Sequence, residues 1–295
     1  MKSNHCFNYA LLLLTAAMSA CALPKPSFTY GGAGEAPAPV EFKNTSPKPA
    51  EGYHWDFGDG NSSEEPSPKH TFYASGTYAV KLTAKTGNKS KTYEDNISIK
   101  APKFCLVLIE TDYGNMLVRL SDGTPKHRDN FLKLAEQGYY DGTLFHRVID
   151  GFMIQGGDPN SKNAKPGQQL GMGGPDYTID AEFVDSLVHI KGALAAARTN
   201  NPQKSSSGSQ FYIVHGSPVT DGQLNQTEGG RNFRYSKVQR DAYLKVGGTP
   251  FLDREYTVFG QVIQGLEVID KITAQPTLPG DRPTSDVKMK IKVIK

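Results

Sequence analysis

The chain of 295 residues lacks most of the patterns that announce a chemistry. It has three cysteines, Cys6, Cys21 and Cys105, too few and too scattered for a disulfide framework. No CxxC pair, HExxH helix, GxxxxGK phosphate loop or GxSxG elbow occurs, so the common signatures of zinc, nucleotide and serine-nucleophile chemistry are missing. The seven histidines show no ligand-like spacing, and neither a metal nor a cofactor is expected. Charge is nearly balanced, 33 Lys and Arg against 30 Asp and Glu, and no basic run exists, which argues against nucleic acid as a partner. Tryptophan occurs once, at Trp55. No apolar run reaches the ~20 residues that cross a bilayer.

What is present begins at the start of the chain. Lys2 is followed by "YALLLLTAAMSAC", a short apolar stretch ending in small residues, the pattern of a secretory signal. Met18-Ser19-Ala20-Cys21 resembles the bacterial lipobox, with methionine where leucine is usual. The resemblance implies removal of residues 1–20, acylation of Cys21 and a tether over 21–26. Each buried CH₂ contributes ~0.8 kcal/mol, so two or more acyl chains would hold stably. The expected location is the bacterial cell envelope, anchored to a membrane bilayer and facing the periplasm or the exterior. Cys105, in "KFCLVLIE", reads as a buried core thiol.

Residues 27–101 alternate in short segments split by Gly, Pro, Asn and Ser. "YHWDFGDG" (53–60) runs from a strand into a turn, and in "HTFYASGTYAVKLTAKTG" (70–87) Tyr78, Val80 and Leu82 share one face. "SKTYEDNISIK" (90–100) supplies a last strand. These blocks, with Trp55-Asp56-Phe57-Gly58-Asp59-Gly60, resemble the PKD domain, an immunoglobulin-like β-sandwich. That resemblance implies a core role for Trp55. Asp56 and Asp59 would organise the turn by bonding backbone N–H groups. A calcium site would want six to eight oxygens, more than two carboxylates supply.

Pro102 marks a boundary, and residues 102–295 form the second domain. A hairpin is expected around Tyr113-Gly114-Asn115. A helix follows with Thr124 as cap, Pro125 at its first position, Phe131, Leu134 and Ala135 as buried stripe, and Gly138 as stop. "GLEVIDKIT" (265–273) predicts a second helix, and "VKMKIKVIK" closes the chain as an alternating strand. Many short strands and two helices suggest a closed β-barrel with helical caps, so the whole chain is expected to be mainly β.

The chemistry centres on "LFHRVIDGFMIQGG" (144–157), where Arg147 stands beside apolar side chains with no carboxylate next to it. One reaction needs little more than a guanidinium beside an apolar pocket. Rotation about an Xaa-Pro bond requires no nucleophile or metal; amide resonance is its barrier, ~18–20 kcal/mol. In the twisted state the prolyl nitrogen regains its lone pair. A donor aimed there stabilises that state over either planar one, which is the kind of binding that accelerates a step.

"LFHRVIDGFMIQGGDP" (144–159), "GALAAARTNNPQ…SSGSQFYIV" (192–214) and "FLDREYTVFGQVIQGLEVIDKI" (251–272) together resemble the cyclophilin-type peptidylprolyl isomerases. The resemblance implies an eight-stranded antiparallel barrel capped by two helices, with Arg147 catalytic. Gln155 would orient the guanidinium and bond the substrate backbone. Phe152, Met153, Tyr212 and Leu252 would form the proline pocket, and His146 would line the groove. Ala197, Arg198 and Gln210 would hold the extended peptide. Arg198 stands where many relatives have asparagine, and Tyr212 where phenylalanine is frequent. Tyr256 takes a place often held by histidine. Phe251 replaces the tryptophan of cyclosporin-sensitive members, which implies weak cyclosporin binding.

The segment 216–248 is longer than in compact relatives. Its "SKVQRDAYLKVGG" looks helical, with Ser236 and Gln239 as a capping box and Gly247 as stop. It precedes Phe251 and so is either an overhang on the groove or a surface elaboration. The expected function is an isomerase that assists folding of proline-containing, unfolded envelope or secreted proteins, acting as a monomer. Two alternatives stand beside it: a proline-peptide holder without turnover, and an envelope binder acting through the PKD-like domain.

Overall fold

A computed structural model describes residues 25–165, 167–231 and 233–295. The signal segment 1–20, Cys6 and the acylation candidate Cys21 lie outside the described residues. The chain divides into two compact units, one formed chiefly by Ala38–Phe72 and Thr77–Ile99, the other chiefly by Lys100–Lys295. No helix among the described residues is long and apolar enough to cross a membrane.

Among the described residues the first unit has seven strands, β1 (Phe28–Gly31), β2 (Ala38–Asn44), β3 (Gly52–Asp56), β4 (Ser62–Ser63), β5 (Lys69–Phe72), β6 (Gly76–Thr86) and β7 (Lys89–Ile99). They form a three-stranded sheet, β1-β2-β5, and a four-stranded one, β4-β3-β6-β7. Alternation along β6 buries Val80, Leu82 and Ala84 completely. Trp55 is fully buried, with the rings of Phe28 and Phe42 at 5.1 and 5.3 Å. Asp56 accepts from the Gly58 N–H and Asp59 from the Asn61 N–H, each at 3.0 Å, so both carboxylates hold the turn as expected.

The second unit opens with the hairpin β8 (Leu106–Thr111) and β9 (Gly114–Leu120), then helix α1 (Pro125–Glu136). There follow β10 (Arg147–Ile149), β11 (Met153–Gly156), β12 (Thr178–Ile179), β13 (Ala193–Ala196), β14 (Ser206–Ser207) and β15 (Phe211–Val214). Helices α2 (Asp221–Gly230) and α3 (Lys237–Val246) fall in the long segment, before β16 (Val258–Gln264), α4 (Leu266–Thr273) and β17 (Met289–Ile294). Eight strands pair in the order β10-β11-β15-β13-β16-β9-β8-β17.

This corrects the expected closed barrel. The edge strands β10 and β17 do not pair with each other, and the curled sheet stays open. Among the described residues, the two edges meet through the isolated bridge Leu144↔Lys288 and backbone bonds such as Phe145 N–H to Val287 O (2.9 Å). β10 is three residues long, too short to carry a ladder on both sides. The count of two helices is also corrected. α1 and α4 are the expected capping pair, α3 is the helix expected within the inserted segment, and α2 is the one that was not expected.

The main core lies between the concave sheet face and the helices, where Phe131, Tyr140, Phe145, Phe211 and Phe259 meet Val107, Met116 and Ile269. α1 begins at Pro125, whose fixed φ suits a first helical turn, although Thr124 makes no side-chain cap bond. Gly138 adopts φ +65° just past the helix, which glycine tolerates without cost from a Cβ. Cys105 departs from its expected burial. It lies before the start of β8 and is only partly covered by the core.

Candidate active site

The pleat of the strands sorts the side chains. On β11, Ile154 enters the main core and Met153 the opposite face; on β15, Phe211 and Ile213 enter the core while Tyr212 and Val214 turn away. β13 follows suit with Leu194 and Ala196 against Ala193 and Ala195. The outward residues form a second apolar cluster with Leu252 and Val258. Register then sets Arg147 opposite Gln155, Gln155 opposite Tyr212, and Tyr212 opposite Ala195. Neighbouring strands are ~4.8 Å apart, so this row brings the guanidinium stem, a carboxamide and a buried phenol side by side.

A cavity of about 110 Å³ opens on that row, lined by Arg147, Phe152, Met153, Gln155, Ala197, Arg198, Tyr212, Leu252 and Tyr256. Nine of the twelve residues expected at the site therefore meet in one place. Tyr212 is almost fully buried, and burial pushes its hydroxyl well above the usual tyrosine range, which keeps it neutral.

Three expected residues lie elsewhere. Gln210 lines an adjoining groove of about 320 Å³ with Gln155, Ala197 and Arg198. Phe251 stands on the rim, 57 % exposed, its ring stacked on Phe152 at 5.9 Å. His146 does not line the cavity. It alternates with Arg147, so the pleat sends it inward, and burial lowers its pKa to about 4.

Several roles also change. The group that holds Arg147 is Asp281, whose Oδ2 accepts from Nε at 3.2 Å. Gln155 instead donates to Gln210 Oε1 at 3.1 Å, and Gln210 donates to the carbonyls of Gly171 and Gly173. Arg198 donates to the Glu255 carbonyl at 3.0 Å and covers the Tyr256 ring at 4.6 Å, so it braces the wall more than it reaches for a peptide. The backbone of Ala197 is engaged at both ends, donating to the Gln210 carbonyl and accepting from Ser207 N–H, so it presents its methyl group.

Behind the cavity lies a polar network that the sequence reading missed. The imidazole of His189 bonds Asp253 Oδ1 through Nδ1 at 2.7 Å and the Tyr212 hydroxyl through Nε2 at 2.9 Å. Since the carboxylate can only accept from Nδ1–H, Nε2 accepts from the phenol. Asp253 also takes the His189 backbone N–H and the hydroxyls of Tyr235 and Tyr243, each hydroxyl at 2.6 Å. All five residues are buried, so satisfied bonding is what makes the arrangement tolerable. Tyr235 and Tyr243 belong to the inserted segment, which thereby grips the turn carrying Leu252. The only signal in sequence was the position of Asp253 next to Leu252.

The candidate site is thus a small cavity of aromatic and aliphatic side chains, rimmed by Arg147 and Arg198, on the outward face of a curled antiparallel sheet. The family model described as "Cyclophilin type peptidyl-prolyl cis-trans isomerase/CLD" matches residues 106–293, and that of the PKD domain residues 26–101. The chain belongs to the cyclophilin-type peptidyl-prolyl cis-trans isomerase family, with a PKD domain before the isomerase domain. It is 39% identical over 186 residues to a Staphylococcus aureus protein that bears the name of a peptidyl-prolyl cis-trans isomerase, covering 61% of this chain and 87% of that one. It is 41% identical over 187 residues to a Streptococcus pyogenes protein named for both phosphatase and isomerase, and there the match covers 61% of this chain and only 37% of the other. A solved cyclophilin of Cryptosporidium parvum is 28% identical and covers 65% of this chain and 98% of its own, with a TM-score of 0.48.

Proposed function

We propose that this isomerase acts on Xaa-Pro bonds of proteins outside the cytoplasm, with Arg147 as the group that touches the twisted amide. The observation that carries the reading is the position of Arg147. Its stem lines the apolar cavity, Asp281 holds Nε, and both terminal nitrogens lack a partner among the described residues. Those nitrogens belong to a planar, delocalised guanidinium whose N–H groups form a rigid fork of donors.

The cavity grips the proline ring and fixes one side of the amide. As the other side rotates, the nitrogen becomes pyramidal and basic, and a guanidinium N–H can donate to it. That bond exists only in the twisted state, so it lowers the barrier rather than merely tightening binding. Turning ~10⁻² s⁻¹ into ~10³ s⁻¹ requires ~7 kcal/mol. A charged hydrogen bond in a water-poor site, together with positioning, is of that order.

In this reading the substrates are unfolded or nascent envelope and secreted proteins, and the enzyme works as a monomer held to a bilayer by acylated Cys21. The support is the short apolar stretch with small residues before Cys21. Exchange spectroscopy on an Ala-Pro peptide tests the activity. Peptide binding without faster exchange would make the site a holder. Mass spectrometry of the mature N-terminus tests the anchor, and an unmodified terminus away from Cys21 would overturn it.

A further inference from the structure

We propose that the inserted segment builds a second peptide subsite, which takes the residues on one flank of the proline. The inference rests on the isomerase reading above and extends it. The subsite is a groove of about 510 Å³, well above the proline cavity in size and inside the ~300–1,000 Å³ typical of ligand sites. α2 supplies one wall through Gln226, Thr227 and Gly230, with Arg231 just beyond its end. Thr249 and Phe251 supply the other.

The groove and the proline cavity are neighbours on either side of one aromatic pair. Phe251 lines the groove and stacks on Phe152, which lines the cavity. The two rings stand 5.9 Å apart, a step that an extended chain covers in about two residues at ~3.3 Å each. The groove lies past Phe251, whereas Gln210 and its adjoining groove lie beyond Gln155. A peptide seated by its proline therefore has one flank directed to each.

The lining is equipped for a backbone. Among the described residues, the hydroxyl of Thr249, in a residue 2 % exposed, has no hydrogen-bond partner, and neither has Nη1 of Arg231. Buried polar groups without partners are rare in folded proteins and call for an explanation. Here they offer an acceptor and donors of the kind that peptide amides and carbonyls satisfy, after small side-chain rotations. The other terminal nitrogen of Arg231 donates to the Phe251 carbonyl at 2.7 Å. That bond ties the end of α2 to the turn that presents Phe251 and Leu252, so groove and cavity share one piece of chain.

The test compares a short peptide, Ala-Ala-Pro-Ala with blocked ends, with versions extended by three residues before or after the proline block. Exchange rates and dissociation constants are measured with the full chain. The account predicts that extension on one side alone raises kcat/KM about tenfold, the equivalent of one or two added hydrogen bonds. In Gly230→Phe that long-to-short ratio falls to near one. A Cβ at Gly230 meets nothing within 4 Å, so the ring can enter the groove without displacing the fold. Thr227→Tyr, from the same wall, should act alike and stands in if the first variant misfolds. A ratio near one in the unaltered protein, with the short peptide still turned over, overturns the subsite and leaves the isomerase reading intact. A raised ratio that survives both substitutions overturns this groove as its location. No turnover of any peptide overturns the isomerase reading, and the ratio of dissociation constants then decides the groove alone.

Discussion

Arg147 Nε donates to Asp281 Oδ2 at 3.2 Å across 134 residues of chain. Asp281 holds φ +67°, and its carbonyl accepts from the Val148 N–H at 2.8 Å, so the loop that carries it is pinned next to the arginine. The pair answers what balances a cation beside an apolar pocket: a partner that no local stretch of sequence could display.

Removing that partner should weaken catalysis without abolishing it. Both side chains are about two-fifths exposed, and such pairs contribute ~0.2–1 kcal/mol. Asp281→Gly keeps the left-handed backbone comfortable and deletes the carboxylate. It should lower kcat/KM by about two- to fivefold, with Asp281→Asn in between. Steady-state rates check this; an unchanged or increased rate contradicts it.

The buried network behind Tyr212 should matter to stability. Tyr243→Phe takes one hydrogen bond from Asp253 at a site closed to water. The cost is about 1–3 kcal/mol, or a Tm lower by roughly 2–12 °C in a domain of this size. Because Leu252 adjoins Asp253, KM should rise more than kcat falls. Calorimetry and kinetics together check it, and a Tm within 1 °C of the parent, below the ~2–4 °C per kcal/mol expected, would count against the network.

His146 sets a pH dependence. Its folded pKa is about 4, lowered by burial, against an ordinary 6.5. Above pH 6.5 the imidazole is neutral in both states. Between about 6.5 and 4 the unfolded chain takes the proton first, so stability falls as pH falls through that window. The full effect is on the order of 3 kcal/mol. His127, also lowered by burial, adds to the slope. His146→Gln should flatten the dependence while the His127 part remains. Urea unfolding at pH 7 and pH 4.5 reads this, and parallel slopes for parent and variant would refute it.

Phe251 offers its ring face but no N–H on the rim of the site. Cyclosporin should bind no tighter than micromolar. Phe251→Trp should tighten it by about tenfold, the worth of one hydrogen bond. Titration calorimetry decides, and submicromolar binding by the parent would contradict the argument.

Sequence reading reached those features that local chemistry determines. Pro125 and Gly138 bracket α1, the Ser236 and Gln239 box starts α3, and nine of the motif residues, Arg147 and Tyr256 among them, share one cavity. Gly229 and Gly230 hid α2, although Thr220 and Gln223 form the same box that marked α3. Barrel closure was beyond reach because it depends on whether β10 and β17 meet, and no local pattern encodes that. The same holds for Asp281 on Arg147 and His189 on Tyr212, pairs joined only by the tertiary fold. His146 was misplaced for a simpler reason. A neighbour of Arg147 on a strand points the other way.

The central claim is that Arg147 stabilises the twisted amide. The direct measurement follows cis/trans exchange of a short Ala-Pro peptide by NMR, with the unaltered protein and with Arg147→Ala. The account predicts fast exchange that drops by about 100-fold or more in the variant, the range for losing one charged donor at a reacting centre, with Tm and peptide affinity nearly unchanged. A variant that retains exchange within about threefold of the parent would contradict it, because the guanidinium would then have no part in the barrier.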